Sequence, residues 1–408
     1  MRIAFFSIHG YVDPEPNLGL VDTGGQVVYV LEIAKRLGEN GIHVDIFTRR
    51  FDDRRKIEWV SENVRIIRIP CGPKHFLPKE ELFPYLDEYV KNLIGFVEKE
   101  SLRYDILHSH YWDAGYVVLR AREKLGAPMV HTSHSLGLIK KRLLGEIGKK
   151  VDYKFDVRIK TEREILEQAD KLVSASPIEP ELVRMHYGIR REFEVVPPGV
   201  DIDFFNPKYR KVDVELPKKY VFTTGRIEWT KGFDLLVKAF RYVVDAHGDV
   251  KLIIGGGSTQ PSRIEIEVRR KLYEISRSLG IEENIIQTGR IPNELLPAYY
   301  AKSRLVVLPS RYDLFGMVAI EAMACGRPVI VSKNAGVHKL ISEEYGYVVD
   351  PHNERELSER IIELLDNPEK AEAMGRRGRR YVEKNLTWEK LAQKLRKIYE
   401  SILDMSQL

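Results

Sequence analysis

Two carboxylates flank a glycine turn in the stretch RYDLFGMVAIEAMACGRPVI, where Asp313 and Glu321 stand eight residues apart around a Phe-Gly pair. Apolar runs on both sides predict two buried strands, with a helix that begins just after the glycine. Free N–H groups at such a helix start can bind an anion. The two carboxylates could hydrogen-bond the vicinal hydroxyls of a sugar or ribose. The alternative is that Asp313 caps the helix and Glu321 lies on the surface.

A pair of cations surrounds an earlier turn between a predicted strand and a helix, in the stretch TGRIEWTKGFDLL. Arg226 and Lys231 would lie at the carboxyl end of that strand. Two cations there suit a diphosphate, because the charge of a departing diphosphate must be neutralised. The alternative is a solvated pair bridged to Glu228 or Asp234.

Three histidines fall at the ends of predicted strands: His108 and His110 in DILHSHYWDAG, and His134 in VHTSHSLG. A His-x-His pair in an extended segment places both rings on one face, with Asp113 nearby. Zinc would need three or four such ligands in fixed geometry. Packing, or a hydrogen bond to a sugar hydroxyl, needs no ion, and we expect no metal.

A glycine pair opens a predicted helix in DTGGQ, residues 22–26. Gly24 and Gly25 would let backbone N–H groups approach an anion or a polar ligand. A plain turn explains the same residues. A dinucleotide fingerprint is not present here, because the G-x-G-x-x-G spacing is absent.

Short apolar runs alternate with amphipathic helical stretches along the whole chain, which predicts parallel α/β sheets covered on both faces. The alternation restarts after VVPPGVDIDFFNP, where prolines cluster. We therefore expect one domain over residues 1–200, a second over 201–385, and a C-terminal helix over 386–408 that packs back toward the first. Ligands of such sheets bind beyond the carboxyl ends of the strands.

Length and composition indicate an ordinary two-domain protein: 408 residues, 31% charged, with a net charge of +5. That balance argues against a nucleic-acid platform. Two cysteines cannot form a disulfide framework. The N-terminus lacks signal-peptide features, and no apolar run approaches the roughly 20 residues of a membrane span. We expect a cytoplasmic protein, with a monomer as the default.

Together, several blocks resemble the retaining glycosyltransferases of family 4, and they are most similar to the sucrose synthase and sucrose-phosphate synthase branch. The blocks occur in the family's order: DTGGQVVYVLEIAKRL, HSHYWDAG, TSHSLG, VVPPGVD, GRIEWTKG and DLFGMVAIEAMACGRPVI. The resemblance implies the GT-B fold, in which two Rossmann-like domains face each other across a cleft. It also implies a nucleotide-sugar donor held mainly by the C-terminal domain, with the acceptor in the N-terminal domain.

By this resemblance Arg226 and Lys231 would hold the donor diphosphate, and Glu321 would bind the ribose of the nucleotide. Asp313 would hold the transferred sugar and phosphate together with backbone amides. The family usually has a glutamate in place of Asp313, which bears on the identity of the donor sugar. The remaining donor-binding positions are Gly225, Phe315, Gly316, Met317 and Val318.

On the acceptor side the resemblance implies that His134 contacts the donor sugar near the reacting carbon. The acceptor would be a phosphorylated sugar such as fructose 6-phosphate. Lys140, Lys141 and Arg142 could supply its anion site, or could form a solvated helix face. The residues expected on this side are Gly24, Gly25, Gln26, His110 and Lys140.

The expected reaction is retaining transfer of a hexose by front-face substitution, in which the leaving phosphate takes the proton of the acceptor. No metal or cofactor is expected, since the nucleotide sugar is a substrate. UDP-glucose is the favoured donor, with GDP-mannose or ADP-glucose as alternatives, and glycerate, glucan or lipid acceptors remain open. The rivals are a GT-B-fold sugar-nucleotide epimerase and a non-catalytic sugar-nucleotide sensor.

Overall fold

The computed structural model describes residues 1–15, 24–148, 154–209, 214–259 and 261–405. Contacts within the chain divide it into two compact units. The first comprises Met1–Pro197 with Trp388–Leu408, and the second is Pro198–Thr387. None of the helices in these ranges is both long and apolar enough to cross a bilayer.

The first unit is built on an eight-stranded sheet with the order β3-β4-β2-β1-β5-β6-β7-β8. Every strand pair in it is parallel except β3 with β4. Its elements up to residue 197 are β1 (Arg2–Phe6), α1 (Gly25–Glu39), β2 (His43–Arg50), β3 (Ile57–Ser61), β4 (Val64–Pro70), α2 (Leu86–Lys99), β5 (Ile106–His110), α3 (Trp112–Leu125), β6 (Met129–Thr132), α4 (Gly137–Gly148), α5 (Phe155–Gln168), β7 (Lys171–Ser174), α6 (Glu179–Leu182) and β8 (Phe193–Val195).

The second unit is built on a six-stranded, wholly parallel sheet with the order β11-β10-β9-β12-β13-β14. Its elements are β9 (Tyr220–Thr224), α7 (Phe233–Ala246), β10 (Lys251–Gly255), α8 (Arg263–Ser278), β11 (Ile285–Gly289), α9 (Leu296–Lys302), β12 (Leu305–Leu308), α10 (Met317–Ala324), β13 (Val329–Ser332), β14 (Gly346–Val349), α11 (Glu354–Asp366) and α12 (Pro368–Asn385). The chain then returns to the first unit as α13 (Trp388–Met405), which packs against α1.

Alternation along the strands of the second unit places apolar side chains on both faces of the sheet. Val221 belongs to the cluster under α7, α8 and α11, while its neighbour Phe222 belongs to the cluster under α9 and α10. Burial on both faces explains why these strands are continuous apolar runs. The expected α/β class, with two parallel Rossmann-like sheets, is confirmed.

The order of strands in each sheet reverses at a single place. In the first unit the chain starts at β1, builds outward through β2, and then returns to add β5 on the other side of β1. In the second unit the same reversal separates β9 and β12. The loops that follow these two strand pairs diverge, and a crevice opens between them at the carboxyl edge of the sheet.

Two strands were missed by the sequence analysis. β3 forms a tight antiparallel hairpin with β4, so the first sheet is not wholly parallel. Its side chains are all half-buried or exposed, including Trp59, which suits an edge strand with no second neighbour. β14 is only four residues long and follows a short 3-10 segment instead of a full helix.

Candidate functional site

The turn after β9 brings Lys231 to the carboxyl edge of the second sheet. A short 3-10 turn, Trp229–Lys231, leads into Gly232, which caps α7 with φ +68°. A Cβ at Gly232 would meet the carbonyl oxygen of Pro309 at 2.1 Å, so the loop after β9 and the loop after β12 touch there. Only glycine permits that approach.

Lys231 and Asp313 meet across this crevice. The Lys231 Nζ lies 2.6 Å from the Asp313 Oδ2, and both side chains are less than one-fifth exposed. The structure therefore pairs a predicted diphosphate cation with a predicted sugar-binding carboxylate. It does not show Asp313 as the cap of α10, because Gly316 occupies that position. The Lys231 ammonium pairs with Asp313 and not with the Glu228 or Asp234 carboxylate, while the Lys231 backbone N–H donates to the Glu228 carbonyl.

Backbone hydrogen bonds fix the turn that leads into α10. The Asp313 carbonyl accepts from Gly336 N–H at 2.9 Å, and the Phe315 carbonyl accepts from Val337 N–H at 2.7 Å. Gly316 has φ +105°, and a Cβ there would lie 2.5 Å from the Leu308 Cδ2.

The helix α10 begins at Met317, as expected. With glycine at its N-cap, no side chain is available at that position to satisfy the first N–H groups of the helix. Met317 and Val318 are half-buried, while Phe315 is buried. The amino end of α10 is therefore a place where an anion can accept backbone hydrogen bonds.

Glu321 lies one turn further along α10, where its Oε2 accepts a hydrogen bond of 2.6 Å from the Tyr300 hydroxyl. Removal of solvent by the surrounding protein raises the pKa of Glu321 to about 7. A carboxyl group held in this way is not an ordinary surface glutamate, which disfavours the surface alternative. The tyrosine partner could not have been found from the sequence.

Arg226 differs from Lys231 in its surroundings. Its side chain is 75% exposed and its Nη2 lies 3.2 Å from Glu228 Oε1, the pairing that the solvated alternative named. Gly225, just before it, has φ +156°. A long exposed guanidinium is able to swing toward a ligand, but the structure does not bring it against Lys231.

Arg311 was missed by the sequence analysis. Its guanidinium makes two hydrogen bonds of 2.6 Å to Asp234, near the start of α7, and a third to the carbonyl of Trp229. These contacts tie the loop of Asp313 to the turn of Lys231. The sequence offered only an isolated arginine, whose partner is 77 residues away.

In the first unit, His110 and His134 come together at the reversal of strand order. The His110 Nδ1 lies 2.9 Å from the His134 Nε2, and the Tyr29 ring meets the His134 ring edge-on. His134 has φ +56°, which is uncommon for a residue with a side chain. Burial lowers the pKa of His134 to about 3. The His134 imidazole is therefore neutral at physiological pH.

His108 has a structural role instead of the metal-binding role considered for it. Its ring bonds to the Tyr399 hydroxyl on α13 at 2.6 Å and to the Thr132 hydroxyl at 2.8 Å. Asp113 bonds to His9 at 2.7 Å. Within the described ranges, no three His, Cys, Asp or Glu side chains are grouped to hold a metal ion.

The glycine pair opens α1 as predicted: Gly24 is its N-cap and Gly25 its first residue, both exposed. Gln26 reaches back toward β1 and β5, where its amide donates to Ser7 Oγ at 3.2 Å and to the His110 carbonyl at 3.4 Å. Residues 22 and 23 of the same motif lie outside the described residues. Gln26 thus links the glycine turn to the histidine pair.

A buried ion pair supports the loop that follows β6. Arg158 and Glu162 lie on α5, 2.7 Å apart and each at most 4% exposed. Glu162 accepts the N–H of Gly137 at the start of α4, while Arg158 donates to Ser135. Their spacing of four residues is typical of a solvated helix face, so the sequence alone did not indicate that the pair supports this loop. Lys140 is half-buried on α4.

Two family profiles match the chain, one on each half. Residues 23–204 match the family described as Glycosyltransferase Family 4, and residues 206–381 match the family described as Glycosyl transferases group 1.

Three relatives cover nearly the whole chain. A mannosylfructose-phosphate synthase from Agrobacterium fabrum is 36% identical over 98% of this chain and 91% of its own length. A D-inositol 3-phosphate glycosyltransferase from Corynebacterium diphtheriae is 31% identical over 100% of this chain and 96% of its own length. The solved structure of a sucrose-phosphate synthase from Thermosynechococcus elongatus has a TM-score of 0.86 and 30% identity, with 99% of each chain covered.

Proposed function

Because the chain belongs to glycosyltransferase family 4 and has the GT-B fold, we propose that it transfers a hexose from a nucleoside diphosphate sugar to a small phosphorylated sugar, with retention of configuration. The chain is a glycosyltransferase by its family, while the donor, the acceptor and the stereochemistry are the proposal. The favoured donor is UDP-glucose.

One observation carries the donor half of the proposal. Lys231 after β9 and Asp313 after β12 lie at the reversal of strand order, beside the amino end of α10. Ligands of open α/β sheets bind at this place. A cation and free helix N–H groups suit a diphosphate, and a carboxylate suits sugar hydroxyls.

In the proposed complex the diphosphate takes the place that Asp313 holds beside Lys231, and Arg226 swings in from solvent to share its charge. Asp313, released from Lys231, then accepts hydrogen bonds from hydroxyls of the transferred sugar. Glu321 binds the ribose. The backbone around Gly225 and from Phe315 to Val318 completes the contacts. Stabilisation of the leaving diphosphate would be the largest contribution to the rate.

The acceptor half is proposed to use the first unit. Gly24, Gly25 and Gln26 would contact the acceptor, since Gln26 connects that turn to the carbonyl of His110. His134 would hydrogen-bond the reacting sugar as a neutral imidazole. Lys140 is proposed to attract the acceptor phosphate. The names of the three relatives each contain a phosphorylated product or acceptor, which supports this assignment.

Retention is proposed to occur by front-face substitution. The bond from the anomeric carbon to the diphosphate breaks while the acceptor oxygen forms its bond on the same face. The acceptor proton passes to the departing phosphate oxygen, so no protein base is required. The free cysteines, both buried, are compatible with the proposed cytoplasmic location.

A second candidate is mannosyl transfer from GDP-mannose to a fructose phosphate. It is favoured by the 36% identity with a mannosylfructose-phosphate synthase. The aspartate at position 313, where related enzymes usually have glutamate, is the feature in the donor-sugar site that could distinguish the two sugars.

The test is a panel of donors against acceptors, analysed by mass spectrometry. UDP-glucose, GDP-mannose and ADP-glucose are each combined with fructose 6-phosphate, an inositol phosphate and unphosphorylated fructose. The proposal expects one hexose added to a phosphorylated acceptor, and no product from free fructose. Lys231→Ala serves as the control for contaminating activity. Release of free sugar without an acceptor would instead identify an epimerase or a hydrolase.

A further inference from the structure

A second cationic cavity lies at the opposite edge of the sheet in the second unit. Its volume is about 260 Å³, and its lining includes Lys219, Arg304 and Arg327. Lys219 directly precedes β9, Arg304 directly precedes β12, and Arg327 is two residues before β13. Because these three strands are parallel neighbours, their amino ends bring the three cations together, away from Lys231 and Asp313.

Two of these cations have unused hydrogen-bonding capacity. Across the described ranges, the side chains of Arg304 and Arg327 form neither a hydrogen bond nor an ion pair. The Arg327 Nε is buried without a partner. Desolvation lowers the pKa of the Arg327 guanidinium; Tyr220, Cys325 and Glu372 oppose this effect, and the like charge of Arg304 adds to it. A buried donor without an acceptor destabilises the protein unless a ligand satisfies it.

The carboxylates nearby offset these cations only in part, although the charge of Glu372 does raise the pKa of Arg327. Glu372 lines the cavity, but lies 3.7 Å from Arg376 on the exposed face of α12. Asp249 is 3.6 Å from Lys219 and is mostly exposed. The lining therefore carries three cations and one carboxylate. Pro368, the first residue of α12, also lines the cavity, so the positive end of that helix dipole adds to the field.

We propose that this cavity is a binding site for a small phosphate-bearing anion, either inorganic phosphate or a small phosphomonoester. Two guanidinium groups provide forked donors for phosphate oxygens, and one ammonium group adds charge that helps to match an anion near −2. The volume is below that of most drug-sized pockets, which suits a compact ligand. The site is separate from the donor and acceptor sites and does not depend on the proposed function.

Occupancy would act on the chain segment that ends α10. Arg327 follows the last residue of α10 by three positions, and Arg379 donates to the carbonyl of that last residue, Ala324. A ligand that engages Arg327 would therefore bind close to this end of the helix that carries Glu321.

The test is isothermal titration of inorganic phosphate, and separately of glycerol 2-phosphate, in 0.1 M salt. Four proteins are compared: wild type, Arg304→Gln, Arg327→Gln, and the control Arg270→Gln. Arg270 is exposed, pairs with Glu274 on α8, and does not line the cavity. All four retain the residues of the candidate active site, so any phosphate bound there is common to them.

The expected result is a binding event that is weakened at least tenfold in Arg304→Gln and Arg327→Gln but unchanged in Arg270→Gln. Tighter binding of glycerol 2-phosphate than of phosphate would identify a phosphomonoester as the ligand, and the reverse order would identify free phosphate. Equal binding by all four proteins, equal weakening in all three variants, or no such event in wild type would overturn the proposal. If Arg327→Gln does not fold, the titration of Arg304→Gln tests the proposal, because Arg304 is exposed.

Discussion

Lys231 and Asp313 are separated by 82 residues in the chain but only by 2.6 Å between charged atoms. In this arrangement the negative charge of Asp313 balances the positive charge of Lys231 at the place where the diphosphate is proposed to bind. Donor binding would therefore exchange one anion for another, and Asp313 would become available to the sugar only when the diphosphate has arrived. The shorter side chain of aspartate makes this exchange sensitive to the position of Lys231.

We predict that Lys231→Ala and Arg226→Ala each lower kcat/KM more than tenfold, and that the double variant loses less than the product of the two effects. Both cations would stabilise charge that develops on the same leaving group, and residues that act as a unit are not additive. Arg226→Lys should also slow the reaction, since an ammonium group cannot form the bidentate hydrogen bonds that a guanidinium forms with two phosphate oxygens. Steady-state kinetics measure these effects.

Glu228→Gln is the matched control, because it removes the partner of Arg226 and leaves the arginine in place. Its kcat/KM should remain within about twofold of wild type. If Arg226 were only a surface ion pair, Arg226→Ala and Glu228→Gln would both leave turnover unchanged and shift stability by about 0–1 kcal/mol. That result would remove Arg226 from the site.

His134→Ala is expected to lower kcat at least tenfold, about 1.4 kcal/mol of barrier, with little change in donor affinity. Because the pKa of His134 is lowered to about 3, the imidazole stays neutral from pH 5 to 8. The wild-type rate profile should therefore contain no inflection from this residue in that range. His43→Ala, at the exposed start of β2, is the control. Unchanged kcat in His134→Ala would mean that His134 only packs.

At the scale of elements, the helix α10 and the turn before it were predicted well, because a glycine, an apolar run and a helical period coincide in sequence. The partners that hold the turn were not predicted. Backbone contacts from Gly336 and Val337 depend on how β13 and its following loop lie beside β12, which local sequence does not encode. The same limit applied to the Arg311–Asp234 pair.

Gly316→Ala is expected to destabilise the second unit by roughly 1–3 kcal/mol and to weaken nucleotide binding. The new Cβ would sit 2.5 Å from Leu308 Cδ2, at a φ of +105° that side chains rarely adopt. Denaturant unfolding and UDP titration measure the two effects. The control is Gly95→Ala in α2, where nothing lies within 4 Å of the new Cβ.

Because alanine favours helix more than glycine does, Gly95→Ala should leave stability unchanged or raise it by up to about 1 kcal/mol. An equal loss in both variants would show that the turn before α10 is not under special constraint. Normal nucleotide binding by a destabilised Gly316→Ala would place the anion site elsewhere.

For the whole molecule, strand–helix alternation was sufficient to predict two parallel α/β sheets, because strands buried on both faces have continuous apolar sequences. Two strands were not predicted: β3 is a half-exposed strand at an edge, and β14 follows a short 3-10 segment instead of a full helix. The candidate site was predicted as two sets of strand ends, and parallel pairing gathers each set at the carboxyl edge of its own sheet. Which side chains pair within the site required the structure, as Glu321 with Tyr300 shows.

Acid should destabilise the first unit more than the second. Burial lowers the pKa of His131 and His134 to about 3, and lowers those of His108 and His110 well below normal. Free histidine titrates near pH 6.5, so the unfolded chain takes up these protons first. The free energy of unfolding contributed by burying these neutral imidazoles is fully present above about pH 6.5. It is lost progressively as pH falls toward 3.

Buried carboxyl groups oppose this trend. Burial raises the pKa of Glu179 in the first unit and of Glu321 in the second to about 7. The stability that each carboxyl group contributes to its unit is therefore lost as pH rises from about 4.5 to 7. Among the described residues of the first unit, the four histidines named above outnumber Glu179, and the pKa of His186 is lowered as well. Hydrogen exchange, corrected for intrinsic rates, should therefore show weaker protection of the first unit at pH 5 than at pH 7. Uniform loss in both units would contradict this expectation.

Retaining transfer from a nucleoside diphosphate sugar is tested by the configuration of the product. The donor and acceptor identified in the panel are used with carbon-13 at the anomeric position, in buffer with EDTA, and the product is followed by NMR. We expect an α-linked hexosyl product, formed together with the nucleoside diphosphate at an undiminished rate. A β-linked product, or complete loss of activity on chelation, would contradict the proposal.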